Sequence, residues 1–154
     1  MAEKVRSRRE QVLTGVAAVL ILGLALWLLL GRSPGTKRVE VPLGRPVTTD
    51  NGVVTVLGLD TVRPGTAGTP APTPDHVVMA IRFRACRSGS AGPIVDLELF
   101  RVRTGDVLSP VAGSNTSETP DGCDAGLVYA QVPSGSSPTA VEYEADPVAV
   151  WTVP

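Results

Sequence analysis

His76-Val77-Val78-Met79-Ala80-Ile81-Arg82-Phe83-Arg84-Ala85-Cys86 is the stretch whose reading decides the fold. Val77, Met79, Ile81, Phe83 and Ala85 alternate with His76, Val78, Ala80, Arg82 and Arg84. Side chains of a strand point to opposite faces in turn, so this period of two predicts a long strand with its odd positions against a core. Upstream, Gly52-Val53-Val54-Thr55-Val56-Leu57-Gly58-Leu59 is β-branched and bounded by Asn51-Gly52 and Pro64-Gly65, which predicts a second strand buried on both faces for part of its length. Downstream, Val95, Leu97 and Leu99 alternate with Asp96 and Glu98, after which Phe100 and Val102 carry the apolar phase against Arg101 and Arg103. A β-bulge at Leu99-Phe100 would reconcile the two phases. Thr104-Gly105-Asp106 predicts a hairpin turn into Val107-Leu108. Leu127 to Val132, Ala140 to Ala145 and Val148 to Val153 bring the total to about seven strands. Val141 and Tyr143 are expected inward, Glu142 and Glu144 outward, and Trp151 anchors the last strand.

Between these strands, Arg63 to Asp75 holds four prolines, which remove donors and favour extended backbone, so an exposed and mobile loop is expected. Val111 to Gly126 is small and polar and reads as a second long loop. The chain as a whole carries 16 Gly and 14 Pro, punctuation that suits short strands and turns. Each sheet needs a partner to cover its apolar face, so the fold class expected is all-β, an antiparallel β-sandwich.

The 154 residues do not all belong to that sandwich. From Val12 to Leu30 there are 19 residues without a charge. As a helix they reach roughly 28 Å, close to the hydrocarbon thickness of a bilayer. Twelve of them are Leu, Ile or Val, and together these favour insertion by about 5 kcal/mol. A cleaved signal peptide has a shorter apolar region and a small-x-small site, whereas this run ends Leu28-Leu29-Leu30-Gly31-Arg32. The expectation is therefore an uncleaved signal anchor. Lys4, Arg6, Arg8 and Arg9 would stay cytoplasmic by the positive-inside rule. The expected organisation is a basic tail over 1–10, a transmembrane helix over 11–31, a stalk over 32–46 and an extracytoplasmic domain over 47–154.

The net charge of -1 conceals two opposite ends. Residues 39–154 hold seven Arg against thirteen Asp and Glu, a net of -6. Phosphate backbones select clustered positive charge, so nucleic acid is excluded as a partner. Cys86 and Cys123 form an even pair on one side of the span and are expected to be joined outside the cytoplasm. The alternatives are two free thiols or a redox-active pair, the latter without a Cys-x-x-Cys or an adjacent base.

Val53-Thr55-Leu57, Val77-Met79-Ile81-Phe83, the hairpin from Phe100 to Pro110, Val128 to Pro133 and the terminal Trp151-Thr152-Val153 follow in an order that resembles the actinobacterial immunoprotective extracellular proteins. The resemblance covers residues 45–154 and implies an immunoglobulin-like domain. It supplies no catalytic motif, and the chain departs from antibody domains in its Cys spacing and in lacking a core Trp on the strand ending at Cys86.

Chemistry-bearing residues are few. His76 is the sole histidine, so a multi-histidine zinc site is impossible and a triad would have to be built around it. Asp121-Gly122-Cys123-Asp124 lacks the alternating acidic ligands of a calcium loop and reads as a turn. Asp96 with Glu98, and Glu142 with Glu144, are same-face carboxylate pairs of the kind that exposed strands carry. Asn115-Thr116-Ser117 matches a glycosylation acceptor without further support. The function expected is a membrane-anchored, non-catalytic binding module of the cell envelope, with no catalytic, cofactor or metal residues. It would contact the bilayer through its helix, and a partner protein or cell-wall component through the two loops. An accessory subunit of a membrane complex, acting through the helix, is the alternative, and an enzyme built on His76 or Cys86 is a third class.

Overall fold

The computed structural model describes residues 36–63, 65–66, 68–87 and 95–154. The chain divides into Met1–Gly35 and Thr36–Pro154, and every described residue belongs to the second unit. The expected basic tail and membrane helix lie outside the described residues, among which no helix is long and apolar enough to cross a membrane.

The described chain is all-β. Nine strands run β1 (Arg38–Pro42), β2 (Pro46–Thr49), β3 (Gly52–Thr61), β4 (His76–Cys86), β5 (Phe100–Thr104), β6 (Val107–Glu118), β7 (Cys123–Pro133), β8 (Ala140–Tyr143) and β9 (Val148–Thr152). They form one sheet in the order β1-β9-β8-β5-β6-β7-β4-β3-β2. All pairs are antiparallel except β1 with β9, which are parallel, so the sheet is mixed where a purely antiparallel one was expected.

The sheet closes over itself because β6 serves both halves. Its first residues, Val107 to Pro110, pair with β5, and Val111 to Glu118 pair with β7. The ladder shifts between Val111 and Gly113, where the strand passes from one half to the other. A shift of this kind adds an unpaired residue and bends the strand. At the other side, β1 and β2 lie at the two margins of the sheet and are joined by Leu43 to Arg45 alone. Trp151 Nε1 donates to Arg45 O at 2.8 Å and Gly44 N donates to Val56 O at 2.7 Å, fastening that link to both halves.

One core lies between the halves. Val54, Val56, Ile81, Phe83 and Val128 come from one half, and Phe100, Val102, Val141, Tyr143 and Trp151 from the other, all buried. Phe83 and Phe100 meet across the core at 5.2 Å between ring centres, and Phe100 meets Tyr143 at 4.9 Å. Offset, tilted rings at such distances gain beyond the area they bury. The odd positions of β4 from Met79 to Ala85 are buried in this core as expected, and so is Trp151.

Four expectations are corrected. Arg38–Pro42, placed in the stalk, is β1, because its pairing with β9 supplies the hydrogen bonds that its short sequence cannot advertise. β3 is buried on one face rather than two: Val54 and Val56 are in the core, while Leu57 is 47% exposed. Leu97–Leu99 is a single 3₁₀ turn instead of a strand with a bulge. Asp96 accepts from Glu98 N at 2.9 Å and so caps the turn, and the β phase starts afresh at Phe100. Val111 to Gly126 is not a loop but the β6–β7 hairpin, closed at Thr119 to Gly122, where Gly122 takes φ 74°. Its outer residues from Ser114 to Glu118 are exposed, which suits their small and polar side chains.

Cys86 and Cys123 are joined in a disulfide. They face each other directly in the β4–β7 ladder, with Cα atoms 4.2 Å apart. By the chain-entropy model, closing this loop of 37 residues stabilises the fold by about 4 kcal/mol. Antibody domains bridge their two sheets with a disulfide, whereas this one links adjacent strands at one end of the β4–β7 ladder.

Candidate functional site

The outward face of β4 is where its sequence departs from a solvated strand. Val78 and Ala80 are as apolar as the core positions, and both are buried. They pack with Tyr129 of β7 in a second, smaller cluster flanked by Val62 and Leu127. Burying them on a sheet's outer face requires a cover, and the segment after β3 provides it.

Val62 N donates to Val78 O at 2.9 Å, so the chain leaves β3 already turned onto β4. Gln131 of β7 then holds the returning limb. Its Oε1 accepts from both Thr73 N and Thr73 Oγ1 at 2.8 Å, and its Nε2 donates to Ala71 O at 3.2 Å. The far limb is tied by His76 N to Thr73 O at 3.1 Å and by Ser134 N to Asp75 O at 2.8 Å. Asp75 takes φ 61°, a conformation that Asp tolerates better than most residues. Prolines suit this path because they offer no N–H that would need a partner. The loop expected to be exposed and mobile is exposed, but Gln131 and Ser134 hold it on a fixed seat.

Between loop and sheet a recess of about 120 Å³ opens, lined by Val62, Arg63, Pro70, Pro72, His76 and Val78 among others. An apolar cavity of about 150 Å³ holds one benzene ring, so this recess takes a single side chain. Its walls are mainly apolar, with Thr61, Arg63, Thr69 and His76 as the polar residues. His76 Nδ1 lies 2.9 Å from Pro74 O, which orients the ring.

A second, wider groove of about 510 Å³ runs along the crossing of β6, lined by Leu97, Glu98, Arg101, Pro110, Val111 and Ser114 among others. Arg101 Nη1 donates to Phe100 O at 2.8 Å, and its guanidinium pairs with Glu144 at 3.1 Å.

The remaining sequence candidates are separated. Asp96 caps a turn, and Glu98 has no strand partner there. Glu142, expected outward and solvated, is 1% exposed. Arg38 Nη2 of β1 donates to its Oε1 at 2.8 Å, and Arg103 Nε of β5 donates to the same oxygen. The hydrogen bond to Glu142 raises the Arg103 guanidinium pKa further above its ordinary value. Glu142 thus joins β1 and β5 across β8, a cluster no local pattern could announce because its members are 104 and 39 residues apart. Asp121 sits in the β6–β7 turn, bonded by the Thr119 hydroxyl and paired with Arg84. The Thr119 hydroxyl, with Arg84 behind it, holds the Asp121 carboxyl below its ordinary pKa. Asn115 lies exposed on β6 opposite Leu127. Tyr143 accepts from Asn51 Nδ2 at 3.2 Å, and burial pushes its hydroxyl pKa up. Among the described residues, no three of His, Cys, Asp and Glu converge as metal ligands would. No family model, characterised protein or solved structure matches the chain.

Proposed function

We propose that the chain is a single-pass protein of the cell envelope whose β unit is an extracytoplasmic, non-catalytic binding module. The observation that carries this reading is the Val62 to Asp75 loop, exposed yet seated on β4 and β7 around a recess the size of one side chain. Recognition concentrates on loops that a rigid scaffold holds in place. A partner protein or a cell-wall component would insert one apolar group there.

Three further features support the reading. The uncharged run from Val12 to Leu30 follows a basic tail. Structural disulfides such as Cys86–Cys123 belong to oxidising compartments. The strand orders β3-β4-β7-β6 and β5-β8-β9 correspond to the two sheets of an immunoglobulin constant-type sandwich, which favours the immunoglobulin-like reading. The chain enters at Arg38, beside the Cys86–Cys123 end of the strands, since Asp50 N bonds Asp146 O and Arg38 pairs with Val148. The loop lies toward the other end, next to Thr61 and His76.

The test is crosslinking of the full chain in its own membranes, comparing the native loop with a Pro70→Asp/Pro72→Asp variant. Loss of a crosslinked partner, with Cys86–Cys123 intact in a non-reduced peptide map, is the expected outcome. Undiminished crosslinking in the variant would remove the loop from the proposal. Failure of external protease to reach the β unit on intact cells would remove the topology.

A further inference from the structure

β3 is longer than the strand that covers it. β2 pairs with Gly52 to Thr55 and the link after β1 reaches Val56 O; β3 bulges at Leu57, where its register to β4 shifts between Val56 and Gly58, and among the described residues nothing pairs with its outer side from Gly58 to Thr61. The direction of the main-chain groups follows from the register. Val62 N bonds Val78 O, so Val78 turns its polar groups toward β3, and in an antiparallel ladder Ala80 and Arg82 do the same. Ile81 therefore turns toward β7, and Leu59, which faces Ile81, turns its N–H and C=O away from β4 to the open side. Thr61, two residues on, does likewise. Unpaired groups in such a row are a template for another strand.

We infer that this open edge is a self-association site, where β3 of a second copy pairs antiparallel about a two-fold axis through Leu59. Past the bulge, Leu59 is the first residue of the free window to turn its main chain outward. A two-fold there sets Gly58 against Asp60 and Leu59 against Leu59, with Thr61 meeting the bulge at Leu57 of the second copy. Moving the axis to Gly58 would press Asp60 onto Val56, whose carbonyl is already taken by Gly44. Moving it to Asp60 would set like charges face to face.

Charge complementarity favours a second copy over an unrelated strand. Asp60 is the one charge in the window, and Arg82 Nη2 donates to it at 2.7 Å. Arg82 reaches it by lying over Gly58, where an added Cβ would come within 3.2 Å of Nη2. In the proposed pair, Asp60 of the second copy comes beside Gly58, directly against that guanidinium. Each Arg82 is then flanked by two carboxylates and each Asp60 by two guanidinium groups.

The experiment is cysteine crosslinking of the purified full-length chain with copper phenanthroline, read on non-reducing gels. Paired residues in an antiparallel ladder have Cα atoms about 4.5–5.5 Å apart, within the span of a disulfide. Leu59→Cys is expected to shift to a covalent dimer, while Val107→Cys, exposed at a hairpin remote from the edge, stays monomeric. Gly58→Cys mixed with Asp60→Cys is expected to give a dimer that neither gives alone. An intact Cys86–Cys123 bond in the peptide map reports a folded chain. Monomeric Leu59→Cys with that bond intact would overturn the inference, as would equal dimerisation of Val107→Cys. Were Leu59→Cys to lose the native bond, the mixed Gly58/Asp60 pair decides in its place: its crosslink supports the site and its absence overturns it.

Discussion

Glu142 shows how far a single residue depends on chain segments remote from it. Its carboxylate is buried, but Arg38 is 46% exposed and Arg103 keeps some contact with water, so the pair is screened on the arginine side. Glu142→Gln is expected to lower stability by about 2 kcal/mol, between the values for exposed and fully buried pairs. Glu144→Gln, where the carboxylate itself is exposed to solvent beside a half-buried Arg101, should cost under about 1 kcal/mol. Urea midpoints of the two variants measure the difference. Asp121 carries a pH effect whose sign follows from its lowered pKa. The stability it adds is present above the unfolded carboxylate value and is lost as pH falls through the lower, folded-state value. Thr119→Val should move the Asp121 titration upward in an NMR pH series, since the hydroxyl is the main cause of the lowering. An unmoved titration would assign the effect to Arg84 instead. These roles were illegible in the sequence. Glu142 alternates with Val141 and Tyr143 as any solvated strand residue would, and its arginines come from β1 and β5.

At the level of elements, the legible strands were those with a strict apolar period. β4 announces itself because Met79, Ile81, Phe83 and Ala85 share the core face, and the β5–β6 turn because Gly105 takes the positive φ of 57° that its position requires. β1 and the outer half of β6 were hidden for opposite reasons. β1 is five residues long and ends in Pro, so its strand character comes from β9. β6 past Val111 is mostly exposed, and an uncovered strand needs no apolar alternation. The tightest approach in that hairpin is at Gly126, where a Cβ would run into Asn115 O and lie 2.7 Å from Thr116 Cα. Gly126→Ala must push β6 from β7, at an expected cost of about 1–3 kcal/mol. Gly113→Ala is the comparison, because its nearest neighbours lie 3.9 Å away on Pro70 and ordinary contact results. A thermal melt in which both variants match the native chain would refute the close approach. The candidate site was half legible: the prolines from Pro64 to Pro74 mark a loop, but its seat on Val78, Ala80 and Gln131 needed the β4–β7 register.

Across the whole molecule, composition alone separates an uncharged run from an acidic, Gly- and Pro-rich remainder, and the all-β class follows from that remainder. Strand order does not follow, because β4 to β5 and β7 to β8 pass between the halves and leave no local trace. The parallel pairing of β1 with β9 was equally invisible, and it gives the unit a mechanical character. The first strand begins at the end of the sheet where the last strand begins, so residues 36 and 154 lie toward opposite ends of that ladder. Tension drawn between them slides the two strands lengthwise past each other. Five residue pairs, from Arg38↔Val148 to Pro42↔Thr152, then share the load together, in the manner of a bolt under shear. Antiparallel terminal strands loaded the same way would open bond by bond, like a zipper.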